Sequence, residues 1–95
     1  MLAPSPELPT PKESLREVSR LLASVSRALS QGNARGWVEG AARIRATAVS
    51  AGLERLANRC SQLEEIQNVE HTHIATLIFE GIAQEFARAE VANDV

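Results

Sequence analysis

Apolar residues in this chain recur at alternating steps of three and four, in four stretches separated by Gly32, by Gly52 and by the polar segment around Asn68. That spacing lays a stripe along one side of an α-helix and has no meaning for a strand, whose faces alternate with period two. In the first stretch Leu15, Val18, Leu22, Val25 and Leu29 form the stripe, widened by Leu21 and Ala28, while Arg16, Glu17, Ser19, Arg20 and Arg27 fill the other side. The second reads Ala34, Trp37, Ala41, Ile44 and Ala48, and the third Leu53, Leu56, Cys60 and Leu63. The fourth is wide, taking in Ile74, Ala75, Leu77, Ile78, Phe79, Ile82, Ala83 and Phe86. Aromatic residues make up only 3% of the chain and alanine is abundant, so strands have little to build on.

Local signals set the ends. Thr10-Pro11-Lys12-Glu13 has the form of a helix start, with Thr10 as cap, Pro11 at the first helical position and Glu13 closing a capping box. Gly32 suits the residue just beyond a helix, Asn33 can cap the next one, and Ser50-Ala51-Gly52 breaks it. The expected helices span about 11–31, 34–51, 53–66 and 69–90. Residues 1–12, with Pro4, Pro6, Pro9 and Pro11, read as a linker or tail, 13–91 as one domain, and 92–95 as a polar tail. Four striped helices with short connections can bury their apolar sides by packing around one core, so the expected fold is all-α, an antiparallel up-down-up-down four-helix bundle.

Composition excludes several functions. Ten Lys and Arg against twelve Asp and Glu give a net charge of −2 with the signs interspersed, so no basic stripe invites nucleic acid or anionic lipid. No apolar run is long enough to cross a bilayer and no signal peptide is evident, which makes a cytoplasmic chain the default expectation, with tethering to a membrane sensor through the N-terminal linker as an option. The single Cys60 permits no internal disulfide, and no metal or cofactor motif is present.

The stretch from Gly40 to Gly52, continuing through Leu56-Ala57-Asn58-Arg59-Cys60 to Leu63-Glu64, resembles the signature of histidine phosphotransfer (HPt) domains of two-component phosphorelays. That signature has an acceptor His on a helix, an aliphatic residue two on, Lys three on, Gly four on, a second Gly ten on, and then a helix of Leu-Ala…Cys…Leu-Glu type. On this pattern Ile44 is the aliphatic residue, Arg45 stands for the Lys, Ala46 for the near Gly and Gly52 for the far Gly. Ala42 occupies the acceptor position. A methyl group has no lone pair with which to take a phosphoryl group, so the chain as written has no catalytic residue and is not expected to be an enzyme.

The resemblance implies an HPt-like bundle whose docking face consists of Val38, Glu39, Ala42, Arg45, Ala46 and Val49, with the receiver domain of a response regulator or hybrid kinase, or another regulatory protein, as partner. From periodicity alone the same row is an ordinary alanine-rich helix surface with Val38 and Val49 half-covered. Two alternatives stand beside it. Ala42 replaces a natural His, and the parent is the phosphotransfer domain of a hybrid sensor histidine kinase; or the bundle is a structural interaction domain, its oligomeric state left open by the sequence. His71 and His73 are the only imidazoles; two apart, they point different ways, His71 expected exposed and His73 at the core boundary. Trp37 and Cys60 are expected in the core, and Glu64-Glu65 with Glu70 as solvated carboxylates around the end of the third helix.

Overall fold

A computed structural model of the chain describes residues 11–93. They form four α-helices and one short 3-10 turn: α1 (Pro11–Ser30), α2 (Ala34–Ser50), α3 (Glu54–Glu64), the turn Val69–His71, and α4 (Thr72–Asn93). Among the described residues there is no strand. Thr10 and the proline-rich segment before it lie outside the described residues, as do Asp94 and Val95. Ala92 and Asn93, expected in a polar tail, continue α4 instead.

The breaks between the first three helices are built alike. At the end of α1 the Gly32 N–H donates to Leu29 O at 3.2 Å and the Asn33 N–H to Ala28 O at 2.8 Å. At the end of α2 the Gly52 N–H donates to Val49 O at 3.1 Å and the Leu53 N–H to Ala48 O at 2.8 Å. Each is a Schellman closure, which needs a left-handed residue at its turning point, and the two glycines supply it with φ of 63° and 74°. Asn33 then caps α2, its side chain accepting from the Gly36 N–H at 3.0 Å. One asparagine therefore closes one helix with its backbone and opens the next with its side chain.

The helices pack in a ring, α1 on α2, α2 on α3, α3 on α4 and α4 back on α1. The core contains Leu15, Val18, Val25, Ala28 and Leu29 of α1, Trp37, Ala41, Ile44 and Ala48 of α2, Leu56, Ala57, Cys60 and Leu63 of α3, and Ala75, Ile82 and Phe86 of α4. Leu21 and Leu22 are only partly buried against it. Gly40 is buried against α1, and a methyl group there would run into Val25 Cγ2. Trp37 is wholly enclosed and its indole N–H donates to Ile66 O at 2.6 Å, fastening the connection after α3 to the middle of the core.

The fourth stripe is narrower than its composition implies. Ala75, Ile82 and Phe86 mark the inward side of α4, and Leu77, two residues from Ala75, points the opposite way and is 65% exposed. Ile74, a quarter turn off that side, is also exposed. His73 shares the fate of Leu77 for the same reason and is exposed, not at the core boundary.

Candidate functional site

The core residues of α2 determine what its outer row presents. With Trp37, Ala41, Ile44 and Ala48 fully buried, the positions one step round the helix, Val38, Ala42 and Arg45, come to lie half-buried along the rim facing α3. Ala46 and Val49 are exposed, Val49 to 63%. Glu39 is exposed and pairs with Arg35 one turn before it, Nε to Oε1 3.1 Å. Beside Val38 a shallow hollow of roughly 360 Å³ is lined by Ala34, Arg35, Val38, Glu39 and Gln67.

Arg45 does not project freely. Its guanidinium crosses to α3 and grips Glu64 with two bonds, Nε to Oε2 at 2.5 Å and Nη2 to Oε1 at 3.2 Å. The fork of the guanidinium matches the two carboxylate oxygens, so the contact fixes orientation as well as charge. The bond to Glu64, and next its charge, raise the Arg45 pKa above its usual value, so the side chain is a permanent cation. Glu64 is thus half-buried and paired, whereas the sequence suggested a solvated end of helix. Glu65 and Glu70 are exposed.

Cys60, one turn before Glu64 on the same side of α3, lies entirely inside. Burial, with Glu64 adding to it, pushes its thiol up to about 12, against a smaller opposing effect of Arg45. A thiol held neutral in that way has no reactivity near neutral pH and acts as a packing residue. His71 and His73 are exposed on or beside the start of α4, which packs on α1 and α3 and lies across the ring from α2, so neither imidazole joins the row around Ala42.

The residues nominated on α2 therefore occupy one continuous rim: apolar at Val38, small at Ala42 and Ala46, apolar again at Val49, with a neutralised ion pair on the α3 side. Among the described residues no imidazole lies in this row, and its one carboxylate, Glu39, is paired with Arg35. Among the described residues no group of three or more His, Cys, Asp or Glu could hold a metal ion, and no helix is long and apolar enough to cross a membrane. The residue whose role sequence reasoning did not find is Glu64, expected among solvated carboxylates and instead paired with Arg45. Its position four after Cys60, on the buried side of α3, was the available signal. No protein-family model matches the chain, and no significant similarity to a curated protein or to a solved structure was found.

Proposed function

We propose that this chain is an HPt-like signalling module that docks a receiver domain, or a regulatory protein of similar surface, through the α2 rim and does not itself carry phosphate. The observation that carries the proposal is the coincidence of the motif with that rim: the position of the acceptor His, Ala42, is half-exposed between the small, open Ala46 and the cation Arg45, while the motif's aliphatic residue, Ile44, is buried beneath. The ring of helix contacts and the short connections 31–33 and 51–53 support an antiparallel up-down-up-down bundle as its frame. Small side chains at Ala42 and Ala46 permit close approach of a partner helix, and Val38 and Val49 supply apolar area on either side. Arg45 can reach an acidic partner group only by sharing or leaving Glu64, so docking would exchange one charge pair for another.

Binding of the chain to isolated receiver domains from its source organism tests this directly. Ala46→Glu places a charge and extra volume in the middle of the rim and should lose binding; Val91→Ser, on the exposed side of α4, should not. Unchanged binding by Ala46→Glu would put the docking face elsewhere. If the natural residue at position 42 is His, the parent is a working phosphotransfer domain, and the same rim serves a reaction as well as a contact.

A structural interaction bundle is the second reading, favoured by exposed Val69, Ile74 and Leu77 around the start of α4. Concentration-dependent self-association in sedimentation, lost on Leu77→Gln, would favour it over receiver docking.

A further inference from the structure

We propose that the groove between α3 and α4, across α3 from the α2 rim, docks an acidic segment of a partner protein that carries one aliphatic or aromatic side chain among its carboxylates. Arg55 and Arg59, four residues apart, share the side of α3 that meets α4. Arg59 lies along α4 itself: a methyl group at Gly81 would stand 3.7 Å from Arg59 Cδ. Arg88, two turns after Gly81 on the same side of α4, joins them. At this end of the groove a cleft of about 250 Å³ has an apolar floor of Leu53, Leu56 and Ala89, with Arg55 and Arg88 exposed above it.

Charge selects the occupant. Among the described residues Arg55 and Arg59 have no ion pair, and Arg88 has only a 3.6 Å contact with Glu85, too long for a hydrogen bond. Two carboxylates, Glu54 and Glu85, also line the cleft. Only 12% of the Glu85 side chain is exposed, so it offers little negative charge to a visitor. Glu54 stands in the first turn of α3, where the positive end of the helix draws it, and Leu53 supplies no side-chain cap to compete. Three guanidiniums against these two carboxylates leave the groove positive, and their forks suit carboxylate oxygens. An arginine beside an apolar pocket is the composition of an interface anchor, with room here for one side chain. A continuous polyanion fits less well, because Glu54 and Glu85 interrupt the arginines; a peptide spaces its carboxylates around the residue that fills the floor.

An NMR titration of the full chain with an acetylated, amidated pentapeptide, one leucine between pairs of aspartates, tests this. The expected result is saturable shifts at the amides of Arg55, Leu56, Gly81 and Arg88. Arg55→Gln and Arg59→Gln should each weaken binding about threefold, the effect of one exposed charge pair, and both positions are open enough for the variants to fold as the parent does. Replacing the peptide's leucine by serine should weaken binding about tenfold, since the floor then goes uncovered. Full affinity in the double variant, equal affinity for the serine peptide, or the same shifts with inorganic phosphate would each overturn the proposal. Shifts at these amides that follow protein concentration without peptide would give the groove to a second copy of the chain and overturn it as well. None of these residues lies on the α2 rim, so failure here leaves receiver docking standing, and loss of receiver binding leaves this groove standing.

Discussion

At Gly40 the absence of a side chain sets the distance between two helices. Adding a methyl group drives it into Val25 Cγ2, and Val25 is itself buried and, being β-branched within a helix, has essentially one rotamer. Alanine gains about 1 kcal/mol of helix propensity over glycine, but overpacking a closed core costs about 1–3 kcal/mol. Gly40→Ala should therefore lower the urea midpoint with an unchanged m-value; a stabilised variant would show that α1 and α2 can separate freely. Cys60 yields a pH prediction. Its folded pKa of about 12 exceeds the value of about 8.5 in an unfolded chain, so the folded state keeps its proton through a window where the unfolded state loses it. The resulting stability is complete below pH 8.5 and declines as pH rises towards 12. Cys60→Ala should flatten that decline, and thiol reagents should label the native protein only as fast as it opens.

Residue by residue, the sequence disclosed the interior better than the surface. Trp37, Ile44, Cys60 and Leu63 follow from spacing alone, because burial in a helix repeats with its turn. The Arg45–Glu64 pair does not, since it joins positions nineteen apart whose meeting depends on how two helices lie together. Ser14 was hidden for a similar reason: a serine beside a stripe reads as solvated until a neighbouring helix closes over it.

Among the elements, the two glycine closures provide matched predictions. Gly32→Ala and Gly52→Ala each place a side chain at a left-handed φ with nothing within 4 Å to collide with, so the cost is conformational alone, about 1 kcal/mol apiece. The two sites are independent and their effects should add in the double variant. Asn33→Ala should cost about as much again through loss of the cap on α2. A hydrogen-exchange measurement on Asn33→Ala should show faster exchange in the first turn of α2, with the middle of α3 unchanged.

Element boundaries were legible where the chain carries explicit stop and start chemistry, at Gly32-Asn33 and at Gly52. They were less so at residues 65–71, where Asn68 caps a 3-10 turn before α4 begins at Thr72. A single periodic stripe cannot distinguish that turn from the helix it leads into, since both place residues three apart on one side. The width of the α4 stripe misled in the other direction: eight apolar residues imply an inward face, but a helix packed chiefly on α1 and α3 has no use for Leu77 on its far side.

For the whole molecule, four helices closed into a ring leave the α2 rim open, with a methyl group at Ala42, the position that the proposed reading gives to an acceptor His. Arg45 is already neutralised by Glu64 within the bundle, so partner binding should depend less on ionic strength than a bare arginine beside an acidic pocket would imply. Glu64→Gln, which keeps the shape but removes the competing charge, should tighten binding to an acidic partner and steepen its salt dependence.

The most direct measurement is a paired phosphotransfer assay in which this chain and its Ala42→His variant are incubated with phosphorylated receiver domains from the same organism and label is followed on each. The expected result is label on Ala42→His alone, with both proteins binding the receiver, since the rim then lacks only an imidazole. If neither protein accepts label and neither binds any receiver, the HPt-like docking module is contradicted, and the motif around Ala42 reflects packing between α2 and α3 alone.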